Sequence, residues 1–289
     1  MTADEPPCPI SQRKAIVRLD LPAGDERRVL GVAHPGFSPV QNRDGAMLFD
    51  AIFGQGKPVY NTGGYLGNGE KVWLLAKIDK KLIIGRDDIV QPYALFANSH
   101  DGSMAFNIRL TTVRVVYQNT LSIALRENKF GKQFRRAHQG TLRDHAEAAQ
   151  GFFAETLKEL DLVTDSFTVL SNRTCNDKKF QSILNSLLPD PKKPRNAKQY
   201  PGLLKAYESK LAGIKDARKE ITRLREEGKG MKMDTCRGTF WGVLNAVLEY
   251  VDHFKTVKGS QLGYSLLGEG MNLKIKAFRM VQDEAAKAA

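Results

Sequence analysis

A chain of 289 residues is long enough for one large domain or two modest ones, and 42% hydrophobic residues suffice for a buried core. No apolar run approaches the roughly 20 residues of a membrane-spanning helix, and residues 1–13 lack the apolar block of a secretory signal. The formal net charge of +12 favours an acidic partner, most simply nucleic acid, over a basic protein without such a partner.

No motif in the sequence predicts a cofactor or a structural metal. The three cysteines, Cys8, Cys175 and Cys236, are scattered without a CxxC pair, which indicates a reducing compartment and no structural zinc. The glycine-rich stretch at 61–69 matches neither a Walker loop nor GxGxxG. A hairpin or a loop beside a sheet is therefore favoured there over a phosphate cradle.

The first half of the chain predicts an antiparallel sheet. Alternating or apolar runs predict strands at residues 14–21, 29–32, 71–78, 82–84, 93–97 and 103–110. The last two runs flank Asp101-Gly102, whose glycine accepts the positive φ that a tight hairpin needs. Helices are predicted at 46–53 and from Asn119 or Thr120 to Arg126. The strands together form an antiparallel meander that leads into a helix.

The second half of the chain predicts helices. Apolar residues at helical spacing place them at residues 141–160, 180–188, 203–225, 239–254 and 273–281. The fold class is therefore α+β, an antiparallel β-meander followed by a helix, with a C-terminal helical part packed on it. The predicted divisions are a disordered tail at 1–13, a sheet core at 14–138, and a mainly helical region at 139–289 with a mobile basic loop at 189–201.

Basic residues mark a candidate nucleic-acid surface. Lysine and arginine neutralise phosphates while aromatic rings stack on bases, and the run at 129–136 interleaves basic residues with Phe130 and Phe134. The alternative for this run is a strand or loop whose phenylalanines point into the core. The candidates are Arg109, Arg114, Lys129, Lys132, Arg135 and Arg136 on the sheet side, and Lys192, Lys193, Arg195 and Lys198 in the loop.

Acidic and histidine residues supply a second candidate site. Glu249 and His253 stand four residues apart on one predicted helix, a spacing at which two side chains can bind one metal or act as an acid–base pair. With Asp252, His100 and Asp101 they would serve a metal-dependent nuclease or phosphoesterase. No HExxH motif completes such a site, and the alternative for the helix residues is a polar network that fixes the helix in place. No catalytic residue, metal or cofactor is therefore predicted.

Three stretches of the sequence resemble a known family. They are GYL at 64–66 with KVWLLAK at 71–77, NSHDGS at 98–103 with RVVYQNTL at 114–121, and GTFW at 238–241 with NAV at 245–247 and EY at 249–250. These are similar to signatures of a phage/plasmid-like family catalogued as domain of unknown function 932. The resemblance implies a cytoplasmic, mobile-element setting close to DNA and transfers no catalytic residue. Tyr117 stands where the family often has cysteine, so thiol chemistry is not expected.

Charge and resemblance together favour a nucleic-acid-binding protein. The leading hypothesis is single-stranded DNA binding or annealing in phage or plasmid recombination or replication, with a possible homo-oligomer and no membrane partner. A meander feeding a helix resembles the core of single-strand annealing proteins, which is an analogy of topology. The alternatives are the metal-dependent nuclease or phosphoesterase, and a protein-binding counter-defence module that contacts a host protein through the helix at 203–225.

Overall fold

The structure is a computed structural model that describes residues 12–53, 59–86, 88–114, 134–136, 151, 160–196, 200–257, 261, 264–265 and 268–288. The fold class is α+β, as the sequence predicts. The chain divides into two compact units, each built from separated segments. The first comprises Met1–Ile78, Ala94–Arg109 and Gln133–Glu155, and the second comprises Asp79–Tyr93, Leu110–Lys132 and Thr156–Ala289.

A small sheet opens the first unit. β1 (Lys14–Val17) pairs antiparallel with β2 (Val29–Ala33), and a short 3-10 helix precedes β2. The sequence predicts this hairpin as part of the meander, which is wrong, because within the described residues the two strands pair only with each other. A Cβ atom at Gly31 would lie 2.7 Å from the Cα atom of Asp101. The glycine thus lets the hairpin lie directly against the Asp101 turn instead of joining a sheet edge.

The larger sheet contains six strands among the described residues. They are β3 (Val59–Leu66), β4 (Lys71–Lys77), β5 (Leu82–Ile84), β6 (Asp88–Ser99), β7 (Phe106–Arg114) and β8 (Phe134–Arg136). The order β3-β4-β6-β7-β8 departs from the predicted meander at β5, which, among the described strands, pairs with the start of β6 alone. The glycine-rich stretch forms β3 and the turn to β4, which confirms the hairpin interpretation.

A helix covers the sheet within the first unit. α1 (Asn42–Phe53) approaches β6 so closely that a Cβ atom at Gly45 would lie 2.3 Å from the ring of Phe96. The ring centroids of Phe49 and Phe96 are 6.4 Å apart, and those of Phe96 and Phe106 are 5.4 Å apart. These three buried rings form the contact between helix and sheet.

The second unit is mainly helical. Its described helices are α2 (160–171), α3 (Asp177–Leu187), α4 (Pro201–Glu227), α5 (Phe240–Glu249) and α6 (Glu269–Ala286). The four predicted helices from 180 onward are confirmed, with side-chain caps at Asn176 and Thr239 where α3 and α5 begin. None of these helices combines the length and the apolar character that crossing a membrane requires.

Two predicted helices fall largely on residues that the structure does not describe. The helix at 141–160 lies outside the described residues except for Gly151 and Leu160, and the helix ending at Arg126 lies outside them entirely. The helix α2 is described from residue 160 to residue 171, so it extends beyond the predicted end at 160.

The centre of the second unit is α5, whose ten residues are all buried. A Cβ atom at Gly242 would lie 2.0 Å from the carbonyl oxygen of Cys236. This oxygen belongs to the backbone of the turn before α5, so it cannot move aside as a flexible side chain would. The close approach between α5 and that turn therefore requires glycine.

Gly242→Ala is expected to lower the free energy of unfolding by about 2–3 kcal/mol because the new methyl group overpacks this contact. Urea denaturation measures the change. Gly213→Ala is the matched control, since Gly213 lies within α4 with no atom near the position of its added Cβ. That substitution is expected to raise stability by up to about 1 kcal/mol. Equal responses at the two glycines would contradict the assigned contact.

The end of α5 departs from the predicted α-helix. The prediction continues regular helix to residue 254, whereas Tyr250–Phe254 forms a π turn in which the N–H of Lys255 donates to the carbonyl of Tyr250. The side chain of Gln261 donates to the carbonyls of Val251 and Asp252, which fixes the widened turn. Such turns carry one extra residue, so the faces of the helix shift after Glu249.

Candidate functional site

Half of the chain's net charge lies in one segment of the second unit. Residues 190–219, called the basic segment below, contain nine basic and three acidic residues, a net +6 against +12 for the whole chain. The segment joins the run after α3 to the first two-thirds of α4. A local excess of this size concentrates positive potential where the segment meets solvent.

The basic segment is exposed along most of its length. Residues 189–196 follow no regular helix or strand, and the side chains of Lys192, Lys193 and Arg195 are exposed. In α4 the buried residues are Ala217, Ile221 and Leu224, so the first sixteen residues of the helix bury no side chain fully. Exposed lysines continue along this part of the helix at 205, 210 and 215. Lys198 lies outside the described residues.

One arginine of the basic segment has a structural role. The guanidinium of Arg218 donates to the carbonyl of Leu188 at 2.6 and 3.0 Å and forms an ion pair with Asp190 at 2.9 Å. These contacts tie the beginning of the segment to the body of α4. Within the described part of the chain, no ion pair involves Lys192, Lys193 or Arg195. The three loop charges are therefore available to an external anion.

An exposed aromatic ring accompanies these charges. Tyr200 is 51% exposed and is the residue at which α4 begins, immediately before Pro201. Tyr200 is not among the residues predicted for the site, although a tyrosine between a basic loop and a helix-starting proline is a usable signal. An exposed tyrosine ring in a lysine-rich segment supplies a stacking surface for an unpaired base.

The sheet-side candidates are described by their backbone only. Arg109 and Arg114 lie in β7, and β8 places Arg135 opposite Asn107 and Arg136 opposite Phe106. The remaining sheet-side candidates, Lys129 and Lys132, lie outside the described residues. A nucleic-acid surface on this side of the chain therefore stays a prediction.

The turn after β6 holds His100 and Asp101. The carboxylate of Asp101 accepts from the N–H of Ser103 at 2.9 Å, which is the bonding of a turn. Partial burial acts to raise the pKa of Asp101, but hydrogen bonds from Ser103 and Ser99 and the charge of Lys71 outweigh it and lower the pKa. Asp101 is thus an ionised turn residue at neutral pH.

The five residues of the second candidate site differ in burial and in the unit to which they belong. Glu249 and Asp252 are buried while His253 is exposed, because the π turn moves the residues after Glu249 off the predicted face. His100 and Asp101 belong to the first unit, and the other three residues belong to the second. Among the described residues, no group of three or more histidine, cysteine, aspartate or glutamate side chains could hold a metal ion.

A buried polar network surrounds Asp252. Asp252 accepts hydrogen bonds from the hydroxyl of Ser265 and the ammonium of Lys274, and Lys274 also donates to Ser265 at 2.7 Å. All three side chains are at least nine-tenths buried, and Lys274 has no exposed surface. Of the candidate residues on this helix only Asp252 belongs to the network, which ties the π turn to α6.

The same helix is also fixed at its other end. The indole N–H of Trp241 donates to the buried carboxylate of Asp88 at 2.7 Å, and the Asn245 amide donates to the carbonyl of Trp241 at 2.8 Å. Burial raises the pKa of the Cys175 thiol, which lies just before α3 in the same unit, to about 11, so this cysteine is a packed thiol and not a nucleophile.

A family model described as a domain of unknown function, DUF932, matches residues 29–287. The chain belongs to the DUF932 family. Searches of the curated proteins and of the solved structures found no match. The resemblance read from the sequence is thereby confirmed at the level of the family, over nearly the whole chain.

The stretches that identify this DUF932 chain lie at defined places in the fold. The first forms the end of β3 and the whole of β4, and the second begins at the end of β6 and in its turn. The third begins just before the capping residue Thr239 and extends, with gaps, along α5 to Tyr250. In the DUF932 chain these stretches therefore build a hairpin, a turn and the central buried helix, whereas the basic segment lies outside all of them.

Proposed function

We propose that this protein binds single-stranded nucleic acid, with the DNA of a phage or plasmid as its substrate, and acts in the cytoplasm during recombination or replication. The observation that carries the proposal is the basic segment, which combines a net +6, three exposed loop charges that form no ion pair with any described residue, and an exposed tyrosine. No observation favours the nuclease or the counter-defence module over this function.

The binding mechanism follows from the chemistry of the segment. Lysine and arginine displace counterions from the phosphates, and this release supplies most of the affinity at low salt. The Tyr200 ring stacks on a base that has left its duplex partner, which favours single strands over duplex. Neither contact reads a base edge, so binding is expected to tolerate any sequence.

Self-association is part of the proposal. Annealing two strands requires a groove longer than one chain of this size supplies. Leu204, Tyr207, Leu211 and Ile214 follow one another at near-heptad spacing along α4 and are only partly buried. A stripe of this spacing is typical of a helix that packs against a second copy of itself.

The test is a salt titration of a labelled single-stranded oligonucleotide, followed by fluorescence anisotropy. With five or six phosphate contacts, we expect the logarithm of the association constant to fall with slope of roughly −3 to −4 against the logarithm of salt concentration. Affinity should then drop about 100-fold between 50 and 200 mM salt. A duplex of the same length should bind less tightly. No binding at low salt, or affinity independent of salt, would refute the proposal.

A further inference from the structure

The first unit contains a cavity that the proposed function does not use. It has a volume of about 440 Å³, within the range of small-molecule sites and far larger than an ion needs. Its wall combines apolar residues such as Leu30 and Val72 with polar ones from separate segments, among them Arg18, Asn42 and His100. The wall draws on the β1–β2 hairpin, the β3–β4 hairpin, the start of α1 and the end of β6.

The fold holds these walls in fixed positions. Gly31 in β2 meets Asp101, and Arg18 after β1 donates to the carbonyl of Asn68 at 2.5 Å, so the small hairpin is joined to both the β6 turn and the β3–β4 turn. Gly69, with φ of +108°, forms part of the lining where that turn bends. The cavity is therefore a feature of the backbone arrangement and not of one side-chain rotamer.

The polar end of the cavity consists of His100 and Asn42. The imidazole of His100 is 93% buried, and its Nε2 lies 2.8 Å from Oδ1 of Asn42. The Asn42 oxygen can only accept, so Nε2 carries the proton in this bond, and the Asn42 amide retains N–H donors. The backbone N–H of His100 donates to the carbonyl of Glu70, which fixes the residue from the other side. Donors at this end suit the ring nitrogens and carbonyls of a planar heterocycle.

The mouth of the cavity presents an aromatic ring and a guanidinium. Tyr65 is 64% exposed although it lines the cavity, and Arg18 lines the same cavity. Arg18 is held by Asp20 at 2.6 Å, and the hydrogen bond to that carboxylate raises the pKa of Arg18. The guanidinium donates through Nε and Nη2 to Asp20, which also lines the cavity, and through Nη1 to the carbonyl of Asn68. A phosphate bound here would therefore take the place of the Asp20 carboxylate, while the base stacks on Tyr65.

We propose that this cavity binds one nucleotide unit, with the base beside Tyr65 and directed toward His100 and Asn42, and with the phosphate at Arg18. A wholly apolar ligand would leave the His100–Asn42 pair dehydrated without compensation, and the described lining offers no acidic cluster for a metal. The same chemistry is supplied by a free 5′-mononucleotide or by one nucleotide of a strand. The site is separate from the basic segment, and only its use by a strand rests on the proposed function.

The test titrates each of the four common 5′-mononucleotides singly into the full-length protein by calorimetry, and an oligonucleotide in parallel. Tyr65→Ala and Arg18→Ala should each weaken nucleotide binding about tenfold, and Tyr65→Phe should retain it. Arg27→Ala is the matched control, because Arg27 forms the same kind of pair with Asp25 at 2.6 Å but does not line the cavity.

The outcomes separate the two sources of the ligand and the two proposals. If Tyr65→Ala and Arg18→Ala weaken the binding of a mononucleotide, a free nucleotide is a ligand. If the two substitutions weaken the binding of the oligonucleotide and no mononucleotide binds, the ligand is a nucleotide of a strand. Nucleotide binding that survives when Lys192, Lys193 and Arg195 are replaced by alanine would support the cavity even if salt-dependent strand binding is absent. Absence of both kinds of binding, or equal affinity in all variants, overturns the proposal.

Discussion

Replacement of Lys274 by methionine is expected to lower the free energy of unfolding by about 3–5 kcal/mol. The ammonium of Lys274 has no exposed surface and pairs with Asp252, whose carboxylate is also buried. Methionine fills a similar volume without charge, so the carboxylate would stay buried without its counter-charge. Urea denaturation followed by circular dichroism measures the loss.

Two controls distinguish the lost charge pair from general damage to α6. The double variant with Lys274→Met and Asp252→Asn leaves no charge at this pair and should recover most of the lost stability. The second control is Lys276→Met. Lys276 lies two residues after Lys274, is exposed, and donates to the carbonyls of Ser186 and Leu187 at 2.9 Å. This substitution should cost about 1 kcal/mol or less. A loss at Lys274 no larger than at Lys276 would show that the pair does not hold the π turn.

Replacement of Lys192, Lys193 and Arg195 by alanine is expected to reduce affinity for single-stranded DNA on the order of 10-fold to 100-fold at low salt. Each of these exposed side chains carries a positive charge that no described residue neutralises. Their removal takes three phosphate contacts from the interface and alters no buried residue. Anisotropy titrations at 50 mM salt measure the change, and an unaltered unfolding transition confirms that the fold is intact.

The matched control removes the same charges elsewhere in the second unit. Lys229, Lys232 and Arg237 are also two lysines and one arginine, and all three are exposed. Their replacement by alanine lowers the net charge by the same amount, so it reproduces any effect of net charge alone. We expect less than about a threefold loss of affinity from this control. Equal losses of affinity in the two triple variants would show that DNA is attracted by the overall charge of the protein and not by a defined interface.

The helices could be predicted from the sequence because their signals are local. Asn176 and Thr239 accept from backbone N–H groups as capping residues do, and apolar residues recur at helical spacing behind them. The π turn could not be predicted, since α and π turns share almost the same local pattern. It depends on Gln261, Ser265 and Lys274, which come from later segments.

The strands were harder to place because their partners are distant. β3 contains Gly63 and Gly64, which weaken a strand pattern, and only pairing with β4 makes this stretch a strand. β5 was expected within the meander, yet it is three residues long and pairs only across the turn at Gly85. The opening hairpin looked like part of the same sheet because nothing local shows that Gly31 meets Asp101.

The charge of the candidate site was visible in the sequence, but its geometry was not. The basic loop stands out as a run of lysine, arginine and proline, whereas the separation of Arg218 from the exposed residues needs the structure. His100 was selected as a catalytic candidate, and the structure places it in a cavity wall with Asn42, 58 positions away in the chain. Such a contact leaves no trace in spacing or composition.

The most direct test of the central claim compares salt slopes for the wild-type protein and the variant lacking Lys192, Lys193 and Arg195. Each phosphate contact on a single strand contributes roughly −0.7 to the slope of the logarithm of affinity against the logarithm of salt concentration. If the basic segment holds the strand, the slope of the variant is less steep by about 2. An identical slope in the two proteins would contradict the claim, because the three charges would then touch no phosphate.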